Sequence, residues 1–115
     1  MIDRNFVKAK KQAELKYCAV CLLQGLPKPR RGVELHEIVT RAATIKNEVA
    51  RNLSFAEALT VIICHEHHQE NHQSGSFEEE LWQYNIDTYG REAVVAALDE
   101  LQASMRSRLG VVLPE

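Results

Sequence analysis

Leu59-Thr60-Val61-Ile62-Ile63-Cys64-His65-Glu66-His67-His68 is the stretch on which the fold turns. Its first half is short, apolar and β-branched, as a buried strand requires. Its second half opens with a cysteine and sets histidines one, three and four residues further on, predicting a short polar helix over 65–72. Outward from here, all three cysteines and all five histidines (His36, His65, His67, His68, His72) fall between residues 18 and 72. That crowding points to metal ligation rather than to scattered buried or solvated side chains.

Zinc takes four ligands in a tetrahedron, and two ligand-x-x-ligand clips supply them in pairs. Cys18-x2-Cys21 is one clip and Cys64-x2-His67 the other, giving a Cys3His site that uses every cysteine. His65 could stand in for His67, but the two-residue spacing suits a knuckle better. The 42 residues between Cys21 and Cys64 are too many for a compact finger and predict structure inserted between the clips. An odd number of cysteines argues against a disulfide framework.

The rest of the chain arranges itself around this window as a single domain over 1–115. Residues 1–17 form a basic N-terminal helix, with Phe6, Ala9, Ala13 and Leu15 as its apolar side. Gly25 to Gly32, with two prolines, is a basic loop. Val33–Val39 reads as a strand and Thr40–Ser54 as a solvated connector with some helix. Residues 76–110 are a helical extension. Ser76-Phe77-Glu78-Glu79 matches a capping box, opening a helix to about Asn85 that offers Phe77, Leu81 and Trp82 to a core. Asp87–Gly90 breaks it. A second helix over 91–109 carries Val94, Leu98, Leu101 and Met105 at helical spacing, with Gly110 as its stop. The expected fold is small α+β: a ββα hairpin stapled by the paired zinc clips, an N-terminal helix and two C-terminal helices.

Net charge is −2, but the charges are segregated. Residues 1–51 hold eleven Lys/Arg against five Asp/Glu, and residues 52–115 hold three against eleven. A basic half can dock a polyanion, although two solvated faces would look the same. No stretch reaches the roughly 18 apolar residues of a membrane span, and the N-terminus lacks the build of a secretory signal. The expectation is a cytoplasmic protein with no membrane partner.

Excluding the zinc set leaves His36, Glu37, His65, His68 and His72. Strand, connector, strand and His-bearing helix would bring His36 and Glu37 opposite His68. Over residues 18–72 the sequence resembles the HNH endonucleases of the ββα-metal (His-Me finger) class, in their zinc-bracketed branch. The resemblance rests on Leu35-His36-Glu37-Ile38-Val39-Thr40-Arg41, on the clip beginning at Cys64, and on His68 directly after it. Asn47 and Asn52 both answer to the family's loop asparagine. Two departures stand out: the fourth zinc ligand is His67 rather than a cysteine, and Glu37 stands where the family has its general-base histidine. Either His36 is the base with Glu37 as ligand or orienting partner, or Glu37 is the base, or the site only binds.

The resemblance implies a phosphodiester hydrolase that nicks or cuts DNA with a single divalent ion, Mg²⁺ or another such as Mn²⁺ or Ni²⁺. His36, Glu37 and His68 would be catalytic, and His36, His68 and His72 would surround that ion. Lys28, Arg30, Arg31, Arg41, Lys46 and Arg51 would meet backbone phosphates. The alternative is a zinc-containing nucleic-acid-binding or adaptor protein without catalysis. A phage or mobile-element setting, in a host cell's cytoplasm, would fit either. The C-terminal helices could serve a homodimer or a larger recombination complex.

Overall fold

A computed structural model describes residues 1–75 and 77–115. Asp3 opens the first helix, α1 (Arg4–Glu14), its carboxylate accepting from the Asn5 and Phe6 amides at 2.9 and 3.3 Å. Next come α2 (Ala19–Leu23), β1 (Glu34–Glu37), α3 (Arg41–Thr44) and α4 (Glu48–Leu53). A single 3-10 turn (Glu57–Leu59) leads into β2 (Thr60–Ile63), followed by α5 (His65–Ser74), α6 (Glu78–Tyr89) and α7 (Arg91–Met105). Among the described residues this is a small α+β fold of seven helices around one two-stranded sheet. No helix among them is long and apolar enough to cross a membrane.

The strands pair antiparallel with Glu34 opposite Ile63, Leu35 opposite Ile62, His36 opposite Val61 and Glu37 opposite Thr60. Side chains alternate across a sheet, so Leu35 and Ile62 share one face and His36, Val61 and Ile63 the other. The first face meets Val7 of α1, with Ile2 beside it. Val61 and Ile63 join the main core with Leu81, Trp82, Val94, Leu98 and Leu101 of α6 and α7. The hairpin is thus covered on both faces, which explains why β2 is buried along its whole length.

The inner face of α1 is not the expected one. Phe6 is 66% exposed, and the buried residues are Val7 and Lys11, one turn apart. Lys11 threads its aliphatic stem inward, donates to the Thr60 carbonyl and places its ammonium 4.8 Å from the Tyr89 ring centroid. A lysine on the docking face hides the true stripe from hydropathy, because its stem packs while its head is polar.

The other boundaries shift for local reasons. β1 starts at Glu34 rather than Val33, although the Val33 amide still donates to Ile63 at 3.1 Å. The connector holds α3 and α4, the latter capped by Asn47, whose side-chain oxygen accepts from the Ala50 amide at 3.0 Å. Ser76 of the expected capping box lies outside the described residues. α6 runs on through Tyr89, so Gly90 alone (φ 91°) is the break. α7 stops at Met105 rather than near Gly110: Arg106 turns left-handed (φ 54°), and the Gln102 side chain accepts from the Leu109 amide at 2.9 Å. This early turn lets Leu109, Val111 and Leu113 fold back onto the core.

Gly32 packs directly against the hairpin. A Cβ there would lie 1.9 Å from Ile62 Cγ2 and 3.2 Å from the Tyr17 carbonyl. Ile62 is β-branched and buried, so it has no room to yield. Gly32→Ala should therefore lower stability by about 1–3 kcal/mol, the usual range for overpacking, as read from urea denaturation followed by Trp82 fluorescence.

Candidate functional site

Two groups of potential metal ligands come together among the described residues. The first comprises Cys18, Cys21, Cys64 and His67, all buried. His67 Nδ1 lies 3.5 Å from Cys18 Sγ, 3.5 Å from Cys21 Sγ and 3.4 Å from Cys64 Sγ. The local chain explains the convergence. Cys18 is the N-cap of α2 and Cys64 the N-cap of α5, so each clip is the first turn of a helix and brings its second ligand back over its first. Burial pushes the Cys18 thiol up and lowers the His67 imidazole. Both groups are thereby held neutral unless a cation compensates for thiolate charge. All three cysteines are free thiols. These four side chains can bind a metal such as zinc. His65, the other candidate for the fourth position, is exposed and turned to Glu34 instead.

The second group is His36, His68 and His72, whose ring nitrogens lie within 4.8 Å of one another. His36 comes from β1, and His68 and His72 lie one turn apart on α5. His68 Nε2 and His72 Nε2 are 3.0 Å apart. Burial, then the charges of His68 and His72, pulls the His36 pKa down to about 4, so it is a neutral imidazole at pH 7. Its Nε2 accepts from Asn71 Nδ2 at 3.1 Å, and Asn71 Oδ1 accepts from the Phe77 amide at 3.2 Å.

Glu34, two residues before His36, bridges two histidines. One oxygen is 2.9 Å from His65 Nδ1 and the other 2.7 Å from His68 Nδ1. The bond from His65 holds the Glu34 carboxyl below its ordinary range, aided by His68. An ionised carboxylate can only accept, so His68 carries a proton on Nδ1, and its Nε2 lies towards His72.

Glu37 is not in this group. Its carboxylate takes a two-pronged contact from Arg51, Nη1–Oε2 at 3.0 Å and Nη2–Oε1 at 3.1 Å, with Arg4 Nε 3.6 Å from Oε1. Arg4, Arg41, Arg51, Glu37 and the three histidines line one cleft of about 420 Å³. Of the other basic residues expected at phosphates, Arg30 lies over the cysteine group, 3.3 Å from Cys64 Sγ and 3.2 Å from Glu66. Lys28, Arg31 and Lys46 are exposed and outside the cleft. Both candidate loop asparagines are structural ties. Asn47 caps α4 and donates to Ser104 O at 3.1 Å, and Asn52 pairs with the Ile2 backbone at 3.0 and 2.8 Å.

Glu34, Asn71 and Arg4 are site residues that the sequence reading passed over. Two carried a usable signal: Glu34 shares a strand face with His36, and Asn71 lies three residues beyond His68 on one helix face. Arg4 carried none, being more than thirty residues from the strand it reaches. The chain matches no protein-family model, no curated protein and no solved structure.

Proposed function

We propose that this protein is a zinc-stapled, HNH-like endonuclease acting on DNA, with His36, His68 and His72 as the seat of a divalent ion. One observation carries the reading: the cleft where three imidazoles converge is also lined by Arg4, Arg41 and Arg51. Imidazole ligands with guanidinium neighbours suit a phosphodiester, whose negative oxygens need both a Lewis acid and cations around them. Resemblance to the HNH endonucleases over residues 18–72 supports the same assignment.

The thiol-rich group is assigned to structural zinc, for which three thiolates and an imidazole form an ordinary set. The donor chemistry of the second group fits a divalent ion once two hydrogen bonds give way: His36 is neutral, but its Nε2 accepts from Asn71 Nδ2, and His68 Nε2 lies 3.0 Å from His72 Nε2. When bound, such an ion polarises a phosphoryl oxygen and stabilises charge on the leaving group. The chain's own residues do the rest. Glu34 fixes the His68 ring, Asn71 orients His36, and Arg41 and Arg51 neutralise phosphate. Glu37, with both oxygens engaged by guanidinium groups, is poorly placed to take a proton, and an imidazole that holds the ion has no lone pair left for one, so lowering the pKa of a bound water would be chemistry that the ion supplies.

Three imidazoles and no carboxylate suit Ni²⁺, Zn²⁺ or similar ions better than Mg²⁺, which prefers oxygen donors. In a plasmid-nicking assay, Ni²⁺ should support conversion of supercoiled DNA at least about ten times faster than Mg²⁺. His36→Ala should abolish it. Equal trace cleavage by wild type and variant under every metal would remove the enzyme and leave the second reading, a DNA-binding protein without catalysis. That reading is favoured by the engagement of Glu37 in the slot where the family has its base. Mobility-shift binding without nicking would establish it.

A further inference from the structure

We propose that Arg4 and Arg51 form a seat for a backbone phosphate, and that Glu37 occupies this seat as an internal competitor until a phosphate displaces it. The proposal deepens the nucleic-acid reading above and rests on it for the identity of the ligand. The seat itself rests on geometry alone.

A carboxylate and a phosphate offer a guanidinium the same thing: two anionic oxygens spaced for a forked pair of N–H donors. Arg51 makes that fork on Glu37 at 3.0 and 3.1 Å, and Arg4 adds a longer contact at 3.6 Å. Two cations therefore face one anion, and the pair keeps a positive charge even when filled. Neither arginine depends on Glu37 for its position. Arg51 Nη1 also donates to Ser54 Oγ at 3.0 Å, and its guanidinium carbon lies 4.5 Å from the Phe55 ring centroid. Arg4 Nη2 donates to the Leu35 carbonyl at 3.3 Å. If Glu37 left, both donors would remain aimed at the vacated position.

Location separates this arrangement from an ordinary ion pair tying helices to a strand. Glu37 is the last residue of β1, one residue from His36, and Arg4, Arg51 and Glu37 all open onto the histidine-lined cleft. A duplex laid along the cleft with one phosphate near the histidines would bring a neighbouring phosphate close to the seat. Displacing Glu37 would make binding an exchange of one anion for another. Stray anions and non-specific DNA would then have to compete with a tethered carboxylate.

The test uses the full-length protein with its metal complement and compares wild type, Glu37→Gln, and Glu37→Gln combined with Arg51→Gln. Inorganic phosphate and a short DNA duplex are titrated separately, to distinguish a free anion from a backbone phosphate. Glu37→Gln should bind inorganic phosphate at least about tenfold more tightly than wild type, and the double variant should lose that gain. For the duplex, the double variant should lose one phosphate contact, so its slope of log affinity against log salt should be shallower than that of Glu37→Gln by about 0.9. Should Glu37→Gln fail to fold, side-chain NMR of wild type decides instead. Phosphate should shift the Nε–H resonances of Arg4 and Arg51, and unmoved resonances would overturn the proposal.

Phosphate affinity in Glu37→Gln within twofold of wild type would also overturn it. The two readings fail separately. Tighter phosphate binding in a protein that never nicks plasmid upholds the seat and removes the nuclease. Metal-dependent nicking by wild type with phosphate affinity unchanged in Glu37→Gln removes the seat alone.

Discussion

Cys64→Ser should yield a protein that is largely unfolded at 25 °C and that no longer retains zinc. The argument is one of scale. Structural zinc contributes an apparent 10–16 kcal/mol in small zinc-binding peptides, about as much as the roughly 5–15 kcal/mol that holds a whole domain together. Cys64 also has a position that serine cannot fill. Its sulfur lies 3.4 Å from His67 Nδ1 and faces Arg30 at 3.3 Å, where a metal such as zinc would need a thiolate. If the three cysteines were merely small buried residues, the same change would cost only about 1–3 kcal/mol, the price of an imperfectly paired buried hydroxyl. Circular dichroism melts with metal analysis on the same samples separate the cases. A cooperative melt within a few degrees of wild type, or wild-type protein containing no zinc, would end the zinc assignment.

The second large effect belongs to His68. His68→Ala should slow single-turnover plasmid nicking by about three orders of magnitude, since a divalent ion's stabilisation of the transition state is worth several kcal/mol and about 4 kcal/mol corresponds to 10³. His65→Ala is the internal control. Both histidines hold Glu34, at 2.9 and 2.7 Å, but only His68 joins His36 and His72. His65→Ala should therefore change the rate by no more than a few-fold. Equal losses in the two variants would place the importance in the Glu34 clamp and not in the histidine trio.

What was legible in the sequence was whatever chain spacing alone determines. Two residues between ligands implied a clip, and Cys18–Cys21 and Cys64–His67 do converge. Three residues between His68 and His72 implied a shared helix face, and their rings meet. A β-branched run before Cys64 implied a buried strand, and β2 is one. Spacing could not foresee which residue a long side chain would reach. Glu37 stands beside His36 in the chain, yet the pleat turns the two to opposite faces, and its partners arrive from α1 and α4. Lys11 misled for a related reason, since a stem that packs and a head that bonds look polar in any hydropathy count. The end of α7 was set by Gln102 catching the Leu109 amide, a local side-chain bond that outweighed the usual preference for glycine at a helix stop.

His67 and His68 are neighbours on α5, and each belongs to a different ligand group. Successive residues on a helix are turned by about 100°, so the rotation that brings His67 to the sulfurs also sets the direction in which His68 leaves the helix. The cysteine group thus works as an angular reference for the histidine trio, in the way a keyway fixes a shaft. The two groups are bound together through the pitch of a single helical turn. A one-residue insertion between 67 and 68 would leave each ligand set chemically complete, yet swing the imidazole of the trio away from His36.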